Sequence, residues 1–269
     1  MWETIEVWLR DSLTQSLLLS PLMGVIFGTI FSGLTVGSRE VGRASVRETI
    51  VIIKERIIIR ERGSQNSAQS NDDPMVLIFV LLAVAVVSTY LYAVYAELII
   101  EYASVTAFNV IAFGFSALTV SAIKGRLNSG EWIAYTFIPI ALVSCSLLLL
   151  YRANLGVLPG VKEAAESAGA VSFYFDVLDD KQRDWIIPQL FGLLGTVAFL
   201  FFSIVLVVHN LAALQVVYDG FMQPFWRSVF MFTNAFSGKV AWVLLSILGV
   251  VTYFFLDGTA YQYLITRHG

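Results

Sequence analysis

The segment Pro188–Val208, PQLFGLLGTVAFLFFSIVLVV, runs for 21 residues without a charged side chain. A helix needs about 20 mainly apolar residues to cross the hydrocarbon core of a bilayer. In the whole chain of 269 residues, 57% are hydrophobic, 14% are charged, and the mean hydropathy is +0.75. Globular domains carry about 25% charged residues, so this composition excludes a soluble enzyme and a disordered protein. The sequence predicts an all-α polytopic membrane protein.

Five further stretches have nearly the length and apolar content of Pro188–Val208. They are Leu17–Val36, Met75–Ala96, Ala103–Ile123, Trp132–Tyr151 and Val240–Leu256. Only residues 97–102 lie between the second stretch and the third, with the loop at 97–101, which predicts a tight antiparallel helical hairpin. The acidic start of the chain, with Glu3 and Glu6, argues against a cleavable signal peptide. We therefore predict six transmembrane helices, the first of them permanent.

Lysine and arginine are distributed unevenly over the loops between these spans. Eleven of the 17 fall in 37–74, 124–130 and 209–239, which alternation through six spans places on one side. Because basic loops favour the cytoplasm, we predict a multi-pass protein of the plasma (inner) membrane with both termini outside. The predicted parts are an outer segment with the first span (1–36), a cytoplasmic β segment with a polar linker (37–74), spans two to four (75–151), an outer acidic loop (152–187), the fifth span (188–208), a cytoplasmic interfacial loop (209–239), and the sixth span with the outer C-terminus (240–269).

The segment 46–62, VRETIVIIKERIIIRER, is rich in β-branched residues and has no amphipathic helical face. Its composition favours one or two short strands, and a lone two-stranded hairpin is marginal in water. We expect the same segment of a neighbouring subunit to bury it, which predicts a homo-oligomer. Packing on the chain's own 209–239 loop is the alternative. The predicted oligomer contacts are Ile50, Ile52, Ile53, Ile57, Ile58 and Ile59.

Small residues recur at four-residue spacing in the first span, at Gly24, Gly28 and Ser32. Such a stripe lets two helix backbones approach closely in lipid. It predicts helix packing, within one subunit or between subunits, and carries no catalytic chemistry.

The stretch 220–237, GFMQPFWRSVFMFTNAFS, is strongly aromatic and has a single basic residue. That composition is typical of a helix lying in the membrane interface, or of a re-entrant segment. Docking of a cytoplasmic protein partner is the alternative. The residues predicted to face the membrane or the partner are Phe225, Trp226, Arg227 and Phe230.

The outer loop 152–187 contains four aspartates, at 176, 179, 180 and 184. Several carboxylates can hold a divalent cation, but the spacing of an EF-hand loop is missing, so a cap at the start of the next helix is the preferred interpretation. Residues 161–170 are predicted to form a short helix and 172–177 a strand.

Ionisable and amide side chains near the membrane are the candidates for an ion path. Glu97, Glu101 and Asp257 lie near the predicted outer boundary, where they could form a ring that attracts cations. Asn109 lies within the third predicted span. The alternative for the three carboxylates is hydration at the level of the lipid headgroups.

The sequence carries no signature of an enzyme. HExxH, GxSxG and P-loop motifs are absent, and the chain has two histidines, 59 positions apart, and one cysteine. We therefore predict no catalytic residue, no metal site and no cofactor. A net charge of −3 also argues against nucleic acid as a partner.

Three functions follow from these patterns. The first is a homo-oligomeric gated channel or pore-forming effector. Membrane proteins of similar architecture occur in bacterial stress response and anti-phage defence, which is an analogy and not a motif match. The second is a scaffold or anchor in the lipid bilayer that recruits a cytoplasmic partner without transport. The third is a small transporter, which the small number of polar residues in the spans disfavours.

Overall fold

The computed structural model describes residues 22, 26, 35–36, 74–123, 130–216, 219–220, 223–234 and 239–268. Nearly all of them are helical, which agrees with the predicted all-α class. The predicted β segment with its six isoleucines lies outside the described residues, and so do Gly24, Gly28 and Ser32.

Eight helices are present in the described part of the chain. They are α1 (Pro74–Ile123), α2 (Gly130–Gly156), α3 (Val161–Ala168), α4 (Ala170–Ser172), α5 (Asp180–Val216), α6 (Gln223–Thr233), α7 (Lys239–Leu256) and α8 (Thr259–His268). A π-helical turn, Phe173–Val177, follows α4. Two short strands, β1 (Thr35–Val36) and β2 (Asp219–Gly220), pair antiparallel with Thr35 opposite Gly220.

Three helices are long and apolar enough to cross a membrane. These stretches are Leu82–Ile123, Ile133–Gly156 and Asp180–Val216, and Ala241–Leu256 is a shorter apolar helix. Five of the six predicted spans are therefore confirmed as helical. The remaining one, Leu17–Val36, lies almost wholly outside the described residues. A helical chain with these three segments is compatible with a membrane-embedded protein.

Helix α1 continues without a break through residues 97–101, so the predicted antiparallel hairpin between the second and third spans is wrong. The buried and exposed side chains alternate with the period of a helix there, since Ala96 and Ile100 are buried while Glu97 and Glu101 are exposed. The physical reason is local: the segment ELIIE contains no glycine, proline or asparagine, and glutamate and leucine are good helix formers.

The chain forms two compact units. Unit 1 comprises Met1–Ile59, Tyr102–Leu148 and Val197–Leu248, and unit 2 comprises Arg60–Glu101, Leu149–Thr196 and Gly249–Gly269. The core of unit 1 combines residues of α1, α2 and α5, namely Ala107, Ala117, Ile140, Val143, Leu200, Val207 and Leu211. A Cβ on Gly114 would lie 2.9 Å from the side chain of Ile140, so α1 and α2 pack closely at this point.

Unit 2 contains the loop region between α2 and α5. The helix predicted over residues 161–170 is confirmed by α3, whereas the strand predicted over 172–177 is wrong, because this stretch is helical. Phe173 is fully buried there and meets the ring of Tyr90 edge to face, at 6.3 Å between centroids. Burial of this one aromatic side chain outweighs the β propensity of SFYFDV.

Candidate functional site

The two central carboxylates of the predicted ion path, Glu97 and Glu101, lie one turn apart on the exposed surface of α1. Their neighbours on this surface are apolar or aromatic, including Leu98 and Tyr102, of which Tyr102 is 66% exposed. Like charges four residues apart on a helix repel each other. The pair is therefore an isolated acidic spot on an otherwise apolar helix.

Asp257 and Asn109 occupy different surroundings. Asp257 follows the last residue of α7 and forms an ion pair with Arg152 of α2, at 3.5 Å between Nη1 and Oδ1. The Arg152 guanidinium also lies 5.9 Å from the centre of the Tyr253 ring. Asn109 is half-buried within α1. Asp257 thus already has a cationic partner within a single chain, unlike the free acidic ring that the sequence predicts.

A polar cluster in unit 2 joins the ends of two helices to the start of a third. Gln189 is buried on α5, and its Nε2 donates to the carbonyl oxygen of Leu256 at 3.2 Å and to that of Phe255 at 3.5 Å. One turn earlier on α5, Trp185 Nε1 donates to the carbonyl oxygen of Gly156 at 2.9 Å. Of the three acceptors, Leu256 and Gly156 are the final residues of helices and Phe255 precedes Leu256, and carbonyls in the last turn of a helix lack helical partners. The start of α5 therefore satisfies the ends of α2 and α7.

Gln189 belongs to a buried polar stripe on α5 that the sequence reasoning missed. Gln189, Thr196, Ser203 and Asn210 recur every seven residues, and each is at most 1% exposed. Seven residues make nearly two turns, so Gln189 and Thr196 share one face of α5 in unit 2, and Ser203 and Asn210 share one face of it in unit 1. Thr196 and Ser203 donate to carbonyls of their own helix, Gly192 and Phe199. The seven-residue spacing was visible in the sequence and is the signal that would have found them.

The end of the stripe in unit 1 is where α6 docks. The Thr233 hydroxyl donates to the carbonyl of Val229 at 2.8 Å, so it accepts from Nδ1–H of His209, 2.9 Å away. The His209 ring also stacks on Phe230, with 4.6 Å between centroids. Next to it, Asn210 Nδ2 donates to the backbone carbonyl of Tyr135 on α2. The two contacts of His209 hold α6 against α5, and the contact of Asn210 joins α5 to α2.

The predicted interfacial segment does form a helix, α6, with Pro224 in its first turn. Its four predicted interface residues divide between two faces. Phe225 and Arg227 are exposed, Trp226 is half-buried, and Phe230 is fully buried against Ala212 and Ala213 of α5. Phe230 therefore belongs to the core of unit 1 rather than to a surface that meets lipid or a partner.

One aspartate of the loop 152–187, Asp179, acts as a helix cap, as the preferred interpretation predicts. Asp179 Oδ1 accepts from the backbone N–H of Gln182 at 2.7 Å, and Gln182 Oε1 accepts from the N–H of Asp179 at 3.1 Å. This reciprocal pair is a capping box. Asp180 forms an ion pair with Arg183 at 3.3 Å. Within the described ranges, no group of three or more His, Cys, Asp or Glu side chains is arranged to hold a metal ion.

The described residues thus provide an exposed acidic pair, two buried polar clusters and an amphipathic helix. This set can bind ions, hold helices together and contact a surface. Comparison of the chain with known protein families, with curated proteins and with solved structures finds no match.

Proposed function

We propose that this chain is a multi-pass membrane protein that assembles with copies of itself into a gated channel or pore-forming effector. The observation that carries the proposal is the pair Glu97 and Glu101, exposed on an apolar helix. A charged side chain at the centre of a membrane helix costs about 3 kcal/mol on insertion scales. The same carboxylates are stable around a water-filled axis between copies, where a ring of them attracts cations.

The length of α1 supports assembly. Its apolar part, Leu82–Ile123, has 42 residues, which is about 63 Å of helix against a hydrocarbon core of about 30 Å. Roughly half of it therefore lies beyond the core. Large apolar side chains are exposed on both sides of the acidic pair, Val84 and Val87 before it and Phe115 and Ile123 after it. Apolar surface of this extent marks an interaction site, and a second copy supplies a matching one.

The remaining parts of the proposal come from the sequence. Loop charges favour residues 37–74 on the cytoplasmic side, and the isoleucines of 46–62 supply the oligomer contacts. With α1 continuous through residues 97–101, the proposal has five crossings, of which the first rests on the sequence alone, and labelling of engineered cysteines tests this number. A role in bacterial stress response or anti-phage defence rests on analogy of architecture alone.

Gating in this proposal starts at α6. This helix is tied to α5 through Thr233 and His209, 2.9 Å apart, and through the stacked Phe230 ring. Its other face leaves Phe232 81% exposed. A signal that moves α6 is therefore transmitted directly to the buried polar side chains of α5.

The test is ion flux through the purified protein in liposomes and planar bilayers. We expect a cation-selective conductance in the wild type. Glu97→Gln and Glu101→Gln should lower the cation-to-anion permeability ratio several-fold, because they remove the charge that attracts cations, while the oligomer mass stays the same. Glu163→Gln and Glu166→Gln are matched controls, since both glutamates are exposed on α3, away from α1 in sequence. An intact wild-type oligomer without flux contradicts the channel.

The exposed face of α6 favours a second function, a membrane scaffold that recruits a cytoplasmic protein. Phe225, Met231 and Phe232 are exposed together on this helix, and exposed aromatic side chains are typical of interface anchors. This function predicts no flux and the loss of a stoichiometric partner in Phe232→Asp. The buried polar stripe of α5 favours a third function, a small transporter.

A further inference from the structure

An open groove of about 520 Å³ lies in unit 2. It is formed by the beginning of α5, the end of α7 and the beginning of α8. Its volume is in the range of sites that hold small molecules. The lining surface is entirely apolar and includes Pro188, Phe191, Phe254, Phe255, Ala260 and Tyr263.

The walls of the groove are held in place by the chain itself. Gly258 has a left-handed backbone, with φ of +80°, and this ends α7 and starts α8 in a new direction. A Cβ at Gly258 would lie 3.1 Å from the Trp185 ring, so the indole packs directly on the glycine. Trp185 also meets Tyr261 of α8 edge to face at 5.2 Å. These contacts fix the direction in which α8 leaves α7, and thereby the position of the two helices that form the groove with α5.

The groove continues into surface that is exposed and apolar. Two residues that line the groove, Phe191 on α5 and Phe254 on α7, are more than half exposed. The exposed side chains of Leu194 and Val250, about one turn away on the same two helices, extend this apolar surface. Helix α5 is one of the three helices apolar enough to cross a membrane. At this position the available apolar molecule is a lipid, so a hydrocarbon chain is the occupant that fits the lining.

Charges beside the groove identify the headgroup. Asp257 lies in the chain between two lining residues, Phe255 and Thr259, and pairs with Arg152 at 3.5 Å. Both members are solvent-exposed, so they can bind a ligand together. A guanidinium binds a phosphate through charge-assisted hydrogen bonds, and a carboxylate accepts from an ammonium group. A headgroup that carries only negative charge would meet Asp257 unfavourably.

We propose that the groove and the Arg152–Asp257 pair form a binding site for one zwitterionic phospholipid with a primary ammonium group. One acyl chain lies in the groove, the phosphate accepts from Arg152, and the ammonium donates to Asp257. The site depends on the membrane location of the chain and is independent of channel activity.

The test is native mass spectrometry of the delipidated full chain, titrated with phosphatidylethanolamine or with phosphatidylglycerol of the same acyl chains. We expect one molecule of phosphatidylethanolamine per chain, bound in preference to phosphatidylglycerol. Ala260→Phe fills the groove and should weaken this binding about tenfold or more. Val243→Phe adds a ring to exposed α7 surface about three turns before the lining residue Phe254 and should leave the binding unchanged.

The headgroup contacts have their own variant. Asp257→Asn should reduce the preference for phosphatidylethanolamine over phosphatidylglycerol, because the amide no longer attracts the ammonium. Equal lipid binding by Ala260→Phe and the wild type overturns the proposal, and so does an unchanged preference in Asp257→Asn. The wild type alone also tests it, since equal binding of the two lipids by the wild type would rule out recognition of the headgroup.

Discussion

Gln189 shows how one buried side chain can hold two helix ends at once. Its amide nitrogen donates to Leu256 at the end of α7, while its amide oxygen is buried without a hydrogen-bond partner within the described ranges. That oxygen lies against Gly156, the last residue of α2, where a Cβ would overlap it. The absence of a side chain at 156 is thus what lets the Gln189 amide reach α7.

This contact predicts a specific coupling between two substitutions. Gly156→Ala places a methyl group on the Gln189 amide oxygen and should lower the free energy of unfolding by about 1–3 kcal/mol, the usual cost of overpacking. In a Gln189→Ala background the same methyl group meets empty space, so its cost should be much smaller. Thermal unfolding of the wild type, the two single variants and the double variant in one detergent gives the coupling energy.

Residues in direct contact commonly show interaction energies of about 0.5–3 kcal/mol in such a cycle. A coupling near zero would mean that Gly156 and Gln189 do not touch in the folded protein. Gln189→Leu is a useful companion variant, because it keeps the side-chain volume and removes only the hydrogen bonds to α7.

At the scale of the element, α5 and α7 approach each other through glycines. A Cβ on Gly195 would lie 2.5 Å from Thr252 Oγ1, and one on Gly192 would lie 2.5 Å from Leu256 Cδ2. Thr252 and Leu256 are both buried. Small residues at such contacts let helix backbones pack closely in lipid, where van der Waals contact is the main source of attraction.

Gly195→Val should therefore separate α5 from α7 locally and destabilise the protein by about 1–3 kcal/mol. Gly130→Ala is the matched control, because a Cβ at the start of α2 meets nothing within 4 Å, and we expect a change within about 0.5 kcal/mol. Thermal unfolding in detergent and the yield of monodisperse protein both measure the effect. Equal loss of stability in the two variants would contradict the close packing of α5 on α7.

The helices themselves could be predicted well because apolar runs of about 20 residues have few other structures available. Pro188–Val208 lies inside α5 and Trp132–Tyr151 inside α2. The hairpin at residues 97–101 is predicted because the apolar stretches on either side each have the length of a span and two glutamates lie between them. Charge does not end a helix, and two span lengths fit a single 50-residue helix equally well.

The candidate site was less predictable than the helices. Glu97 and Glu101 stood out because charge is rare in the apolar segments, and the structure leaves both exposed. Gln189 is uncharged and lies at the start of a predicted span, where a polar side chain is common, so the local sequence does not mark it as part of a site. Its contacts with Leu256 and Gly156 join residues far apart in the chain, and no local pattern in the sequence records such an approach.

At the scale of the whole molecule, the continuity of α1 affects the side on which every later loop lies. If the chain reverses near residues 97–101, eleven of the 17 basic residues lie on the side of the membrane that holds 37–74, and seven of these are in 37–74 itself. If α1 crosses only once, the segments beside 37–74 become 152–187 and the C-terminus, and the shared side then holds twelve of the 17. Both topologies satisfy the preference of basic loops for the cytoplasm, so loop charge does not discriminate between them.

Because α1 is continuous, we expect residues 67 and 128 to lie on opposite sides of the membrane. The chain has one native cysteine, so Cys145→Ser gives a background without thiols. Ser67→Cys, Asn128→Cys and Ser167→Cys are then labelled singly in intact cells and in permeabilised cells with a membrane-impermeant maleimide. A single crossing by α1 predicts that positions 67 and 167 react under the same condition and that position 128 reacts under the other. Labelling of 67 and 128 together, with 167 opposite, would restore a reversal at residues 97–101 and with it the hairpin that the sequence predicts.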